Sequence, residues 1–519
     1  MVGCQCVDKV AGMRRLGGAI RKPQIRTTVG EGLPAMGLRR YSKLDWAVAW
    51  DSTSDRQTYL RHADLTVDAD RIVALEPHRE RSDAAEWIDG RGLMALPGLI
   101  DLHAHPSLEP LFRGIREDHG VPEHYMSGLF ERSQAYWPDE DAMLCAAEAG
   151  LSELLLSGVT TVLDISFPFR GWLDVLARSG IRAYAAPAYA SASWNLTEPH
   201  AIGYRWHEDG GRASFLAALE LVDAAMQHPC GRLLGAVSPA QIDTCTEALL
   251  RDSYAAARER AIPFTVHASQ SVNEFLEMTR RHGVTPIQFA ARLGLLGERS
   301  ILGHALFVDE HSWVRWHTRD DIHLLGETGS AVAHCPSTFA RYGQGLEDLG
   351  RYRRAGVTVG FGTDVAPHNM IEEMRLAAIM ARVGARDVRS AATGDVFEAA
   401  TLGGARALGR GDLGRLAPGA KADFVLVDLS HPFMRPARDP LRSLVFGAAD
   451  RAVRDVFVDG RPVVRDGKVI GIDLPHALDR LDEAQQRMER STPSHDPRGR
   501  SSLRITPLSL PKAGAGDAL

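Results

Sequence analysis

The sequence is poor in cysteine and contains no long apolar run. Six cysteines dispersed over 519 residues do not form a disulfide framework, which fits a reducing compartment. No stretch approaches the roughly 20 apolar residues of a membrane-spanning helix, and the basic, glycine-rich N-terminus lacks the apolar core of a secretion signal. We therefore expect a cytoplasmic protein with no membrane partner.

A strong charge bias is also missing. The formal net charge is −6, and acidic and basic residues are interspersed, so the chain has no general attraction to nucleic acid or to an anionic surface. The content of 45% hydrophobic and 24% charged residues is typical of a soluble globular protein. A small-molecule substrate is therefore the expected partner, and no nucleic acid is expected.

The first residues contain an isolated C-x-C pair, Cys4 and Cys6. Such a pair is weak evidence for a metal site, because nothing around it has the pattern of a folded segment. We interpret residues 1–43 as a flexible N-terminal extension.

The central part of the chain alternates strand-like and helix-like segments, which is typical of a parallel α/β fold. Eight candidate strands lie between residues 97 and 412: 99–106, 159–166, 181–188, 232–239, 262–269, 300–307, 330–337 and 357–364. Eight strand–helix units predict a closed (β/α)8 TIM barrel over residues 97–412.

Short strands with turn signals flank the barrel on both sides, at residues 44–96 and 413–475. Asp-Gly pairs at 459–460 and 466–467 are typical of tight hairpin turns. We predict that both flanks build one small β-sandwich domain. Residues 476–519 are expected to form a C-terminal helix and a flexible tail, which is disordered or packs on a neighbouring subunit.

The run LPGLIDLHAHP places His103 and His105 two residues apart at the end of the first barrel strand. Side chains two residues apart in a strand share a face, so both imidazoles point the same way. Three further strands also end in possible metal ligands, namely His267, His304 and Asp364. Each of these residues alone could be a buried structural histidine or a helix cap. Together, at the C-terminal face of a barrel, they predict a metal site.

Nitrogen and oxygen ligands around an open position suit one divalent metal ion, with Zn²⁺ preferred and Fe²⁺ or Mn²⁺ as alternatives. A metal-bound water with a pKa of about 7 makes hydroxide available at neutral pH. Asp364 is the candidate acceptor of the proton from that water.

Several further motifs make the chain resemble the amidohydrolase superfamily, in the branch of the guanine and cytosine deaminases and the triazine hydrolases. They are HCPS at 334–337, GFGTD at 360–364 and GRLAPGAKADFVLVD near the C-terminus, and the likeness covers about residues 44–475. The resemblance implies that His103, His105, His267 and Asp364 bind a single metal, while His304 contacts the attacking water or the substrate. It also implies a homodimer or larger homo-oligomer.

No lysine occurs between Lys43 and Lys421. Related enzymes with two metals bridge them through a carboxylated lysine on a barrel strand. This chain cannot build such a bridge, which favours a single metal.

The chain departs from the family pattern at two positions. Deaminases of this branch usually carry H-x-x-E on the fifth strand, but residue 270 here is Gln. A carboxamide can donate a hydrogen bond but cannot carry a proton. Glu274 is the other carboxylate close enough in sequence to carry the proton, although we favour its interpretation as a supporting or exposed helix residue. Phe339 stands where the family usually has Asn, and an apolar ring there favours an aromatic or alkyl-substituted substrate.

Loops at the C-terminal face of a barrel determine substrate choice. On this basis Gln270, His304, Glu109, Trp137, His311 and Phe339 are predicted to bind substrate. Further candidates, most of them expected to be packing residues, are His124, Trp194, Trp206, His207 and His368. Cys335 is interpreted as a buried barrel residue.

Three functions fit these patterns. In the first, metal-bound hydroxide attacks an electron-poor carbon of an N-heterocycle and releases ammonia or an alkylamine, with Asp364, His304 and Gln270 as the catalytic residues. In the second, the same site hydrolyses a linear amide, urea or carbamate, and Gln270 only orients the carbonyl. Both are hydrolases of C–N bonds other than peptide bonds. The third is a non-catalytic barrel that serves as a binding protein.

Overall fold

The computed structural model describes residues 37–81, 86–115, 128–198 and 201–510. The Cys4–Cys6 pair and His124 lie outside these ranges. The first flank contains five strands: β1 (Arg39–Asp51), β2 (Arg56–Asp68), β3 (Arg71–Pro77), β4 (Glu86–Asp89) and β5 (Leu93–Pro97).

Strand β1 begins inside the range that the sequence assigns to a flexible extension. Arg39 pairs with Val67 of β2 and with Glu86 of β4. Tyr41 is buried between Phe424 and Phe457, with ring centroids 5.2 and 5.4 Å away. The predicted boundary at residue 43 is therefore too late, because aromatic packing with the distant second flank draws these residues into the sheet.

The barrel region alternates strands and helices as predicted. Its strands are β6 (Leu99–Ala104), β7 (Val159–Ser166), β8 (Arg182–Tyr189), β9 (Ala192–Glu198), β10 (Ala201–Trp206), β11 (Leu233–Gly235), β12 (Ser238–Pro239), β13 (Phe264–Ala268), β14 (Ser300–His304), β15 (Ala331–His334) and β16 (Thr358–Phe361). Its helices are α1 (Gly128–Ala135), α2 (Glu140–Leu156), α3 (Trp172–Ser179), α4 (Arg212–Met226), α5 (Glu247–Glu259), α6 (Val272–His282), α7 (Pro286–Leu293), α8 (Asp321–Glu327), α9 (Pro336–Ala340), α10 (Leu349–Arg354), α11 (Met370–Ala385), α12 (Thr393–Glu398) and α13 (Gly404–Ala407).

The parallel strands close into the predicted eight-stranded barrel. One sheet pairs β6, β7 and β8 in order, followed by β11 and β12, which both pair with β8 and together form the fourth barrel strand. The other sheet pairs β13 to β16 in order. Parallel bridges from Ala104 to Asp364 and from Val237 to Phe264 join the two sheets. All strand carboxyl ends therefore meet at one face.

The connection after β8 contains an antiparallel hairpin, β9–β10, that the sequence analysis treats as a loop. It pairs Trp194 with Tyr204 and Ala192 with Trp206. Since it follows the carboxyl end of a barrel strand, the hairpin lies at the same face as the candidate site.

The second flank contributes β17 (Phe424–Asp428), β18 (Val453–Val458), β19 (Arg461–Arg465) and β20 (Lys468–Val469), with the short helix α14 (Pro440–Ser443) between β17 and β18. Strand β17 pairs with β5, so both flanks form one mixed sheet. Leu44 and Leu65 from the first flank pack with Phe424 and Phe457 from the second in a separate core. The small β domain is therefore built from both flanks, as predicted.

The chain continues into α15 (Leu474–His495) and α16 (Ser502–Ile505). Ser502 and Ile505 are buried, so this part of the predicted flexible tail packs on the barrel of its own chain. The sequence does not predict this packed segment, because the Pro-, Ser- and Gly-rich composition of the tail shows no helical periodicity of apolar residues. Among the described residues, no helix combines the length and apolar character needed to cross a bilayer.

A buried ion cluster joins the barrel to the β domain. Arg182 on β8 contacts Asp423 at 3.2 Å and Asp459 at 2.7 Å. Both Arg182 and Asp423 are almost fully buried, and burial raises the pKa of Asp423. The arginine therefore compensates a carboxylate that would otherwise be stranded away from water.

We predict that Arg182→Ala will lower the free energy of unfolding by about 3–5 kcal/mol, because it leaves Asp423 buried without its counter-ion. The matched control is Arg178→Ala, which removes a more exposed arginine paired with Glu148 and should cost about 0–1 kcal/mol. Urea unfolding followed by tryptophan fluorescence measures both. Equal losses in the two variants would contradict the role of this cluster.

Candidate metal centre

His105 and His267 are held by backbone carbonyls on their outer sides. The Nδ1 of His105 lies 2.7 Å from the carbonyl oxygen of Ile165, and the Nδ1 of His267 contacts the carbonyl oxygen of Ala240. A carbonyl only accepts, so each Nδ1 carries the proton. Each Nε2 of the neutral ring then presents a lone pair on the opposite side, which is the form that binds a metal.

These two lone pairs face each other and a carboxylate. The Nε2 atoms of His105 and His267 are 3.4 Å apart, and Asp364 Oδ1 lies 3.3 Å from His105 Nε2 and 3.6 Å from His103 Nε2. Two unprotonated nitrogens at such a distance repel each other unless a cation lies between them. The donor set therefore fits a divalent metal ion.

Buried polar atoms of this cluster find no hydrogen-bond partner among the described residues. They include both ring nitrogens of His103, both ring nitrogens of His304 and both carboxylate oxygens of Asp364. Buried polar groups are normally satisfied, so such a concentration of unsatisfied donors and acceptors indicates a missing ligand. Two overlapping groups, His103–His105–His267 and His103–His304–Asp364, each have ligand atoms within 4.8 Å of one another.

The protonation states also suit a metal. Burial lowers the pKa of His267 and of His304 well below the ordinary histidine value, which keeps these rings neutral. Burial alone would raise the pKa of Asp364, but the neighbouring His103 and His105 bring it well below its ordinary value. The site therefore offers neutral imidazoles and one carboxylate anion.

Two glycines make room for His103, and the sequence analysis does not identify them. A Cβ on Gly303 would lie 2.7 Å from Cε1 of His103, and a Cβ on Gly362 would lie 2.5 Å from Cβ of His103. Such contacts are too short for any side chain. Their position directly before His304 and inside GFGTD is the sequence signal that could have identified them.

The backbone beneath the ligands is tied by Asp101. Its Oδ1 accepts from the backbone N–H of His103 at 2.9 Å, and its Oδ2 accepts from Thr363 Oγ1 at 2.7 Å. The backbone N–H of Asp364 in turn donates to the carbonyl of His103 at 2.8 Å. These bonds hold Asp364 at a φ of 56°, a left-handed conformation that is costly for a residue other than glycine. Burial raises the pKa of Asp101 to about 7.

His304 and Phe339 form one wall of the centre. The ring of His304 lies 4.7 Å from that of His103 and 4.8 Å from that of Phe339, edge to face in the second case. His304 has a φ of 82°, so strain is stored here as well. The structure thus brings Phe339 to the histidine cluster, as the sequence analysis expects of a substrate-binding residue.

Gln270 lies in the turn between β13 and α6, and Glu274 fixes that turn. The Glu274 carboxylate accepts from the backbone N–H groups of Ser269 at 2.6 Å and Gln270 at 2.8 Å. The Ser271 hydroxyl, at the N-cap of α6, accepts from the N–H of Glu274 at 3.1 Å. Glu274 is therefore a buried positioning residue, and its possible exposed placement is wrong.

Glu109 and His368 are two predicted residues close to the ligands. Glu109 is buried, and its backbone N–H donates to the carbonyl of His105 at 3.1 Å. His368 Nδ1 contacts Thr363 Oγ1 at 2.8 Å. Burial lowers the pKa of His368 to about 3, against the opposing charge of Glu109.

Other predicted pocket residues have their described contacts away from the histidine cluster. Trp137 stacks on His495 of α15 at 4.9 Å. His311 Nε2 lies 3.1 Å from the carbonyl of Gly345. The partners of Trp137 and His311 are distant in sequence, so the loop position alone did not reveal these contacts. Trp194 donates to Asp243 at 3.2 Å and His207 contacts Ser193 at 3.1 Å.

Residues 94–463 match the family model described as the amidohydrolase family. The chain belongs to the amidohydrolase family. As the sequence predicts, it is a metal-dependent hydrolase of C–N bonds other than peptide bonds, and the hypothesis of a non-catalytic barrel is wrong.

Curated deaminases are similar to this chain over most of its length. It is 31% identical to a 5-methylthioadenosine/S-adenosylhomocysteine deaminase of Natronomonas pharaonis, over 80% of this chain and 91% of that protein. It is 29% identical to a 5'-deoxyadenosine deaminase of Methanothermobacter thermautotrophicus, over 82% of this chain and 94% of that protein.

Solved structures of a deaminase and a chlorohydrolase share the fold. An adenosine deaminase from Xanthomonas campestris with bound zinc superposes with a TM-score of 0.73 at 25% identity, over 87% of this chain and 98% of that one. Zinc-bound atrazine chlorohydrolase from Arthrobacter aurescens TC1 gives a TM-score of 0.72 at 24% identity, over 86% and 99% of the two chains.

We predict that His103→Ala and His267→Ala will each lower metal content and activity together. Loss of a supporting residue already costs about 10–100-fold in metal affinity, so loss of a ligand should cost at least as much. The matched control is His323→Ala, which removes an exposed histidine on α8. Elemental analysis and hydrolytic assays of the purified variants measure the effect, and full metal occupancy with full activity in either ligand variant would contradict the assignment.

Proposed function

We propose that this amidohydrolase removes an amino group from an electron-poor carbon of an N-heterocycle, and that it uses one Zn²⁺ per subunit held by His103, His105, His267 and Asp364. Fe²⁺ and Mn²⁺ are the alternative metals. The observation that carries the proposal is the convergence of buried, unsatisfied imidazole and carboxylate atoms in a barrel whose curated relatives are adenosine-type deaminases.

The bound metal supplies Lewis-acid activation of water at neutral pH. Asp364 accepts the proton of that water, since its carboxylate is charged and both its oxygens lack a hydrogen-bond partner among the described residues. His304, kept neutral by burial, is positioned to hydrogen-bond the attacking water or the substrate. Asp364 then returns the proton to the leaving amine.

Phe339 and Gln270 act on the substrate. The Phe339 ring, packed against His304, supplies an apolar wall for an aromatic ring. Gln270, on the turn fixed by Glu274, donates a hydrogen bond through its carboxamide to a ring nitrogen or a carbonyl oxygen. Glu109, next in space to His105 and His368, is the remaining polar candidate for substrate binding.

The substrate class follows from the curated relatives, which are named for 5-methylthioadenosine, S-adenosylhomocysteine and 5'-deoxyadenosine. We propose that this chain deaminates an adenine-type heterocycle carrying an apolar substituent. The test is a panel of these three nucleosides, aminotriazines, pterins, arylureas and anilides, assayed for ammonia and for substituted amine. Ammonia from an aminated heterocycle supports the proposal, and hydrolysis of the ureas or anilides alone contradicts it.

One observation favours a second candidate function. Gln270 occupies the position where deaminases of this branch usually have a proton-carrying glutamate, and a carboxamide has no accessible pKa. Hydrolysis of a linear amide, urea or carbamate can proceed with Asp364 alone as the proton carrier, while Gln270 orients the carbonyl.

The cellular location, the oligomeric state and the partners of the enzyme are part of the same proposal. We propose a cytoplasmic homodimer or larger homo-oligomer that acts on small molecules and has no nucleic-acid or membrane partner. The few dispersed cysteines and the mixed surface charge support this.

Asp364→Asn should lower kcat by about 10²–10⁴-fold, because the amide keeps the shape and one ligand oxygen but removes the proton acceptor. Some metal should remain bound. Steady-state kinetics and elemental analysis on the same sample check both statements. A variant that keeps more than about a tenth of the original kcat would place the base elsewhere.

Gln270→Glu discriminates between the two candidate functions. A heterocycle whose ring nitrogen is protonated during attack should be hydrolysed as fast or faster, because the new carboxyl group can carry a proton. Hydrolysis of a carbonyl substrate should slow about ten- to a hundredfold, since the hydrogen-bond donor of Gln270 is replaced by a carboxylate acceptor in a buried site.

The measurement is kcat/KM of both proteins across pH 5–9 on the best substrate of the panel. A gain with a new ionisation on the acid side favours the deaminase, whereas a loss at every pH favours the amide or urea hydrolase. No change at all would mean that residue 270 does not face the substrate. Gln486→Glu, at an exposed position of α15, is the control for the added charge.

A further inference from the structure

Residues 474–506, here called the C-terminal arm, lie beyond residue 463, where the family match ends. The arm consists of α15, α16 and the short link between them. It returns from the β domain to the barrel and runs beside the loops that follow the first barrel strand.

An apolar stripe fixes the arm to the barrel. Its buried residues recur at helical spacing on α15: Ala477, Leu481, Ala484 and Met488. They belong to the same continuous core as the barrel strands. The arm is therefore an integral part of the fold.

Ion pairs fix the arm to the start of α2. Arg480 contacts Asp141 at 2.5 Å, and Arg487 contacts Asp139 at 3.2 Å. Asp139 is the N-cap of α2, so two arginines of the arm bind the start of this helix.

Gln485 reaches from the arm to the loop that begins at the metal ligands. Its Nε2 donates to the carbonyl oxygens of Leu111 and Arg113, both at 2.8 Å. These carbonyls lie six and eight residues after His105, next to Glu109. A single side chain thus holds the end of the loop that carries a ligand and a candidate substrate residue.

The arm also holds the segment that contains α1. The Tyr136 hydroxyl lies 2.9 Å from Ser502 Oγ, and Trp137 stacks on His495 with nearly parallel rings. Ser502 Oγ in turn donates to Glu489 on the arm at 2.8 Å. The carboxyl end of α1 is therefore anchored to the arm by a polar and an aromatic contact.

The other side of α1 faces loops at the carboxyl ends of barrel strands. Phe130 packs on Trp194 of the hairpin at 4.7 Å, and Gln134 Oε1 accepts from the backbone N–H of Leu196 at 3.1 Å. Arg132 donates to the Tyr342 hydroxyl, three residues after Phe339. The position of α1 is thus coupled to the hairpin and to the wall that contains Phe339.

We propose that the C-terminal arm determines substrate specificity by setting the position of α1, through Ser502 and His495, and of the loop 105–113, through Gln485. The arm acts through these segments and does not touch the reacting atoms. Through these contacts, α1, the hairpin and the segment of Phe339 would limit the size of the substituent that a heterocycle can carry away from its amino group. The effect on substrate size rests on the proposed function, whereas the effect of the arm on the position of α1 and of the loop 105–113 does not.

The first test needs no substrate. Gln485→Ala should speed amide hydrogen exchange in residues 106–115 by about five- to thirtyfold, because the variant loses two hydrogen bonds that are worth roughly 1 kcal/mol each. Gln485→Glu, which places an acceptor against two carbonyls, should have a larger effect. Gln486→Ala removes an exposed neighbour on the same helix and is the control. Unchanged exchange of residues 106–115 in the two Gln485 variants would overturn the proposal.

The second test uses the nucleosides named above. In Gln485→Ala, the ratio of KM for S-adenosylhomocysteine to KM for 5'-deoxyadenosine should change at least threefold, while kcat stays within twofold and metal content is unchanged. Equal changes in both KM values, or a loss of kcat alone, would overturn a role in specificity. If the unmodified enzyme releases ammonia from none of the three nucleosides, the adenine-type substrate class fails, and hydrogen exchange still decides the positioning role.

Discussion

The structure depends on the close approach of two unprotonated imidazole nitrogens. His105 and His267 must direct their Nε2 lone pairs toward the same point, because their Nδ1 atoms are committed to backbone carbonyls. Without a cation this arrangement is repulsive and leaves buried polar atoms unsatisfied. A divalent metal ion held by His103, His105, His267 and Asp364 would relieve this repulsion, and the surrounding fold keeps these side chains together.

The fold achieves this through features that lie behind the ligands. Asp101 ties the backbone of His103 to Thr363, and the β6–β16 bridge brings Asp364 alongside. Gly303 and Gly362 leave the space that His103 fills. Left-handed φ values at His304 and Asp364 store strain at the ends of their strands, as is common at functional sites.

The barrel and the convergence of the candidate ligands could be predicted from sequence because both rest on local patterns. Each ligand stands at the end of an apolar strand, and the carboxyl ends of parallel strands always share a face. The substrate face was less predictable. Phe339 reached the histidines as expected, but the described contacts of Trp137 and His311 are with partners far along the chain, His495 and Gly345. The start of β1 and the packed tail were missed because both depend on contacts with distant segments.

The position and the identity of the metal ion can be determined directly by anomalous X-ray diffraction from crystals of the protein purified without added metal. Data collected above and below the zinc absorption edge should give one anomalous peak per chain, within bonding distance of His103, His105, His267 and Asp364. A peak at the iron or manganese edge in the same place would identify the alternative metals. A peak bound by other residues, or no peak in an active crystal, would contradict the account.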